Sequence, residues 1–95
     1  MKILILGDVM GASGRNALNK KLPKLIESNE IDFAIVNGEN SADDGRGITQ
    51  EIAEEFFKIG VDVITSGNHI WDKQETTNYI NKENRLLRPA NLVEA

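Results

Sequence analysis

Five side chains of this 95-residue chain can hold a hard divalent cation, and each stands just beyond a short apolar run that leads into a glycine. Asp8 follows Gly7 after Ile3 to Leu6. Glu39 and Asn40 follow Gly38 after Phe33 to Val36 and Asn37, and Asn68 and His69 follow Gly67 after Val61 to Ile64 and Thr65-Ser66. The carboxylates offer anionic oxygens, the amides neutral carbonyl oxygens and the histidine an imidazole nitrogen, a donor set suited to divalent iron, manganese, zinc or magnesium. Two carboxylates held close without a cation repel, whereas one carboxylate can bridge two metals about 3.5 to 4 Å apart and turn a water between them into a nucleophile.

Taken singly, each residue has an ordinary structural explanation. An Asp after a first strand serves as a turn residue or helix cap, Asn tolerates left-handed turns, and a lone His is commonly structural. Glu after Gly is not a favoured turn chemistry. His69 lies in Gly67-Asn68-His69-Ile70-Trp71-Asp72, beside an amide and near a carboxylate able to orient its ring. Recurrence in three successive loops is the specific signal, because independent turn explanations would have to hold three times.

Parallel strands of one sheet would bring the three loops together, since their carboxyl ends share the edge at which open α/β sheets bind ligands. Lys2 to Leu6 is apolar apart from Lys2, which suits a strand covered on both faces. The loop Gly7 to Gly14 leads into an amphipathic helix from Gly14 to about Ser28, with Ser13 as its cap, Leu18, Leu22, Leu25 and Ile26 at helical spacing, and a kink or break at Pro23. Ile31 to Asn37 forms the second strand, and a right-handed crossover between the two implies a parallel pair of the doubly wound class. The polar segment Gly38 to Gly47 can form a wall or lid over the strand ends. Thr49 caps a helix from Gln50 to Ile59, and Gly60 terminates it. Val61 to Thr65 is the third strand, Asp72-x-x-Glu75 matches the capping box of a third helix of about ten residues running towards Ile80, and Leu86-Leu87 starts a fourth strand. Trp71 and Tyr79 read as packing residues, with base stacking as the alternative for Trp71. The expected architecture is one α/β domain over residues 1–95, a parallel-sheet βαβαβα unit.

Composition narrows the function classes. With no cysteine there is no thiolate metal site and no disulfide framework, so ligands must be oxygens or the imidazole of the single histidine. A net charge of -4 argues against a general nucleic-acid-binding surface, and Lys20, Lys21 and Lys24 form only a small solvated stripe. Phosphate chemistry stays open, because bound metal restores local positive charge. No stretch approaches the roughly 20 apolar residues of a membrane span and the opening Met1-Lys2-Ile3 is already strand-like, so a soluble cytoplasmic protein is expected.

Gly7, Gly11 and Gly14 invite comparison with a dinucleotide-binding loop. Their spacing is G-x-x-x-G-x-x-G rather than G-x-G-x-x-G, and Asp8 would place negative charge where a pyrophosphate should sit. A nucleotide- or partner-binding α/β module without chemistry is the alternative to a metal-dependent enzyme.

Across Gly7-Asp8-Val9-Met10-Gly11, Gly38-Glu39-Asn40, Gly67-Asn68-His69-Ile70-Trp71-Asp72 and Arg88-Pro89-Ala90-Asn91, nearly end to end, the chain resembles the YmdB-like metallophosphoesterases. The resemblance implies the N-terminal part of a calcineurin-like α/β sandwich that hydrolyses phosphodiesters, 2′,3′-cyclic nucleotides among them, by a metal-bound hydroxide at a dinuclear centre of iron or manganese, with zinc or magnesium as other candidates. By motif, Asp8 resembles a ligand of one metal, Glu39 the carboxylate shared by both, Asn40 a ligand of the first and Asn68 of the second. His69 resembles the general acid. Family members continue well past this length and supply several further histidine ligands, so the chain is expected to carry only half of the site, to be inactive alone, and to cover its open surface by dimerising or aggregating.

Overall fold

The structure, a computed structural model, describes residues 1–91. Three strands form one parallel sheet in the order β1 (Ile3–Leu6), β2 (Phe33–Asn37), β3 (Val63–Thr65). Helix α1 (Gly11–Ser28) joins the first pair and α2 (Gln50–Lys58) the second, and a 3-10 turn (Ile70–Asp72) precedes α3 (Gln74–Ile80). The register aligns Leu6 with Val36 and Val36 with Ile64, which puts all three carboxyl ends at one edge.

The opposite edge is fastened by a repeated device. Asp32, just before β2, donates its N–H to the Lys2 carbonyl at 2.9 Å and accepts the Lys2 N–H on Oδ2 at 2.8 Å. Asp62, just before β3, does the same with Ala34, at 2.9 and 2.8 Å. Each incoming strand thus locks the register of the one before it.

One face of the sheet carries the core. Leu4 and Leu6 pack against a cluster that includes Val36, Ile64, Leu18 and Leu22 of α1, and Ile52, Ala53 and Phe56 of α2. Both helices therefore cover the same face, which departs from the doubly wound expectation: strand order advances without reversal, and crossovers of one hand then stay on one side. β1 is consequently not covered on both faces. Ile3 and Ile5 are 52% and 72% exposed, while Leu4 and Leu6 point inward.

Three local expectations are corrected. Helix α1 begins at Gly11, with Met10 rather than Ser13 at the N-cap position, because the Gly14 N–H already bonds the Met10 carbonyl at 3.0 Å. It continues through Pro23 as a single element; Pro23 and Asn19, whose carbonyl loses its intrahelical donor, both lie on the exposed side, where solvent can reach the freed carbonyl. Asp72 does not open a capping box. Its N–H is committed to the His69 carbonyl in the 3-10 turn, Lys73 takes the N-cap position, and α3 spans seven residues. The other boundaries hold closely: the Thr49 hydroxyl accepts the Ile52 N–H at 3.2 Å, and Gly60 follows α2 with φ of +113°.

At Leu86-Leu87, where a fourth strand is expected, the described residues form only an isolated parallel bridge from Leu86 to Ile64, with the Ile64 N–H on the Arg85 carbonyl and the Leu87 N–H on the Ile64 carbonyl. Tyr79 is buried and Trp71 packs against the core.

Candidate functional site

Two glycine-opened turns present four of the five ligand-type residues. After β2, the Ser41 N–H bonds the Gly38 carbonyl at 3.2 Å, leaving Glu39 and Asn40 in the two central positions. After β3, the Ile70 N–H bonds the Gly67 carbonyl at 3.1 Å, leaving Asn68 and His69 in the same two positions. Asp8 comes from the loop after β1, which is stitched to the β2 turn by Val9 N–H to Asn37 carbonyl at 3.2 Å and Gly11 N–H to Asn40 carbonyl at 2.9 Å. The Gly7–Asp8 peptide bond is cis.

The side chains meet across these loops. Asn40 Nδ2 donates to Asp8 Oδ2 at 3.0 Å, and Asn40 Oδ1 lies 2.7 Å from His69 Nδ1. The polarity of this chain is set by its acid end: a carboxylate only accepts, so the amide must turn its NH₂ to Asp8 and its oxygen to His69, which then donates from Nδ1. His69 Nε2 is left as the nitrogen that can exchange a proton with a ligand. Glu39 is placed differently. Its carboxylate occupies the space beside Gly67 where a side chain would start, and a Cβ there would collide with both of its oxygens. Asn68 is exposed on the His69 turn, at the same edge as the others.

Among the described residues, no three His, Cys, Asp or Glu side chains form a group able to hold a metal ion. The assembly instead mixes two carboxylates, one imidazole and two amides. In type these donors fit a divalent cation, since a carboxylate has about four lone-pair sites and an amide oxygen two, so the bonds among Asp8, Asn40 and His69 leave donor capacity.

Two neighbours with a structural part in the site carried no signal of their own in the sequence. Arg15 of α1 donates to the Ser41 carbonyl at 2.6 Å and to Asp43 at 2.7 Å, and Lys73 donates to Asp44 at 2.7 Å, so the segment after Asn40 is tethered from both sides. The Lys73 bond holds the Asp44 carboxyl below its usual range. Ser41 sits directly after Gly38-Glu39-Asn40, and the shared Gly-x-x-x frame of the two turns was the available clue.

A family described as YmdB-like protein matches residues 4–95. The chain is similar to a 2′,3′-cyclic-nucleotide 2′-phosphodiesterase of Bacillus subtilis, 44% identical over 99% of this chain and 35% of that protein. It is also similar to a protein of Mycoplasma pneumoniae named as a putative phosphatase/phosphodiesterase, 40% identical over 97% of this chain and 32% of that one. Among solved structures, a novel phosphatase from Mycoplasma pneumoniae superposes with a TM-score of 0.90 at 35% identity, covering 98% of this chain and 33% of the other. A hypothetical protein from Thermus thermophilus gives 0.86 at 33% identity, over 98% and 35%. The chain spans about a third of the length of the curated relatives it matches. With the family match running over residues 4–95 and the same parallel sheet in the solved relatives, the chain belongs to the YmdB-like proteins.

Proposed function

We propose that these residues form one wall of a metal-dependent phosphodiesterase site, within the N-terminal portion of a larger cytoplasmic metallophosphoesterase domain. The observation that carries the proposal is the bonded chain Asp8–Asn40–His69 at the carboxyl edge of the sheet, in a family whose relatives are named for phosphodiester and phosphate chemistry. Asp8 and Asn40 would hold one divalent ion, Asn68 a second, and Glu39 would be shared between them, with iron or manganese the preferred metals. Such a pair supplies charge neutralisation at the phosphate and lowers the pKa of water enough to make it a nucleophile near neutral pH.

The chain's own groups do the remaining work. Hydrolysis needs a water oxygen to bond phosphorus as the bond to the leaving ribose oxygen breaks, and that oxygen needs a proton. His69 would provide it from Nε2–H of the doubly protonated ring, with Nδ1–H held by Asn40, which also fixes the ring plane, and the neutral Nδ1–H ring left behind would regain a proton as the attacking water gives one up. Asp8, at the far end of the same chain, holds the Asn40 amide in the required sense. A 2′,3′-cyclic nucleotide suits the site as substrate because its leaving oxygen stays tethered beside the acid.

The test is an assay of a full-length family member carrying these residues, on a 2′,3′-cyclic nucleotide and on bis-p-nitrophenyl phosphate, with and without manganese or iron. Turnover that requires metal and is lost in Asp8→Ala supports the proposal. Turnover that survives both chelation and Asp8→Ala contradicts it, and tight nucleotide binding without turnover would favour a binding module.

A further inference from the structure

The turn that displays Glu39 and Asn40 is locked from both ends. Ser41 closes it twice on one acceptor, through its N–H at 3.2 Å and its hydroxyl at 2.7 Å, both to the Gly38 carbonyl. Gly38 has no room to move: its N–H bonds the Thr65 carbonyl at 3.0 Å, and a Cβ there would lie 3.1 to 3.3 Å from Ile64, Ile48 and Phe56 side-chain atoms. Ser41 is wholly buried. Its carbonyl is taken by Arg15 Nη1 at 2.6 Å, while Nη2 of the same guanidinium pairs with Asp43. Arg15 is one turn along α1 from Gly11, whose N–H holds the Asn40 carbonyl. Helix α1 therefore grips two consecutive carbonyls, those of Asn40 and Ser41.

We infer that Arg15 is a positioning residue for Glu39 and Asn40, acting through Ser41; the inference rests on the proposed metal role of those two side chains. The Arg15 side chain is only 18% exposed, and its charge-assisted bond ends on the backbone of a buried residue. Asp43, 83% exposed at its side chain, adds little energy as an ion pair and serves to aim the guanidinium plane. A planar fork can serve the carbonyl and the carboxylate together, which a lysine ammonium does with less fixed geometry. Lys73, tied to Asp44 farther along the loop, does not touch the turn and provides the control.

The experiment uses a full-length family member that carries these residues, unsubstituted and as Arg15→Gln, Arg15→Lys and Lys73→Gln, with backbone amide hydrogen exchange and Mn²⁺-induced NMR broadening as readouts. In Arg15→Gln the Ser41 and Gly11 amides are expected to exchange about tenfold faster or more, while the Val36 and Ile64 amides keep their rates. Arg15→Lys should recover part of the protection, and Lys73→Gln should leave Ser41 unchanged. The Mn²⁺ concentration that half-broadens the Asp8, Glu39 and Asn40 amides should rise about 10- to 100-fold in Arg15→Gln. Unchanged Ser41 and Gly11 exchange, equal acceleration at Val36 and Ile64, or an unaltered Mn²⁺ midpoint would overturn the inference. Absence of broadening in the unsubstituted chain would overturn the metal reading instead, and the exchange rates alone would then decide whether Arg15 holds the turn.

Discussion

His69 Nδ1 and Asn40 Oδ1 lie 2.7 Å apart, a contact between neighbouring loops that only the Nδ1–H form of the ring can satisfy while Asn40 gives its NH₂ to Asp8. Neutral His69 is therefore expected in the Nδ1–H tautomer. It is the single histidine of the sequence, so its imidazole ¹⁵N shifts can be assigned without ambiguity. Asn40→Ala removes the acceptor and should shift the ring towards Nε2–H. An unsubstituted ring already in the Nε2–H form would show that the Asp8–Asn40–His69 chain is oriented otherwise.

Gly67 and Gly38 occupy matching places at the starts of the two turns, yet alanine should act on them in opposite ways. At Gly67 the new methyl meets the tip of a flexible carboxylate. Glu39 can swing aside, so Gly67→Ala should change stability by less than about 1 kcal/mol, while the displaced carboxylate weakens Mn²⁺ binding. At Gly38 the methyl meets Ile64, Ile48 and Phe56, all packed in the core. Gly38→Ala should cost about 1 to 3 kcal/mol as overpacking. Urea unfolding paired with Mn²⁺ titration separates the two, and a Gly67→Ala chain that is markedly unstable would contradict the contrast.

The sequence exposed the shared edge because strand, glycine and ligand-type residue recur in one order, and a parallel sheet converts that order into proximity. It did not expose which face of the sheet is bare. Ile3 and Ile5 are as apolar as Leu4 and Leu6, so hydropathy could not separate the covered side from the open one, and the separation came only with both helices packing on one side. Three glycines conceal the start of α1, because they look like a loop although Gly14 already closes a helical turn on Met10. Arg15 is illegible in the sequence for a different reason: its partners lie 26 and 28 residues away, and a lone arginine on a helix carries no local pattern.

The aspartates before β2 and β3 make the same bond but should differ in worth. Asp62 Oδ2 satisfies the N–H of Ala34, which is 1% exposed, whereas Asp32 satisfies the exposed Lys2. Asp62→Ala strands a buried donor and should cost about 1 to 3 kcal/mol. Asp32→Ala leaves a donor that water can reach, and should stay within about 0.5 kcal/mol. Equal losses in denaturant unfolding would mean that the β1–β2 and β2–β3 seams are equally wet at this edge.

Glu83 gives a pH dependence with a definite sign. Its hydrogen bonds to Arg85, followed by the attraction between the charges, draw its carboxyl from 4.5 down to about 2, and Arg85 also stands 3.9 Å over the Phe57 ring. A carboxyl depressed in the folded state stabilises that state above its unfolded pKa, and the contribution fades as pH falls from about 4.5 towards 2. Glu83→Gln should therefore lower the melting temperature at pH 7 and make progressively less difference down to about pH 2. Because Arg85 sits where the chain joins the edge of β3, amide protection of Leu87 should fall in the same variant. A melting difference independent of pH would show that the Glu83 charge is not responsible.

Metal binding and turnover by these 95 residues alone should both be poor. Asp8 and Glu39 are the anionic donors, Asn40 and Asn68 are weak neutral ones, and two adjacent divalent ions need roughly four to six ligands each. Solvent would fill the remainder, leaving less of the geometry fixed by protein. The exposed Ile3 and Ile5 add a second expectation, that the isolated chain associates or aggregates to cover its open sheet face. Isothermal titration with Mn²⁺, sedimentation, and a phosphodiesterase assay address both on one preparation, with the metal afterwards removed by chelation. Tight binding of two Mn²⁺ per chain, with turnover abolished by Asp8→Ala and Glu39→Ala and by chelation, would show that four donors at a three-stranded edge make a complete catalytic centre.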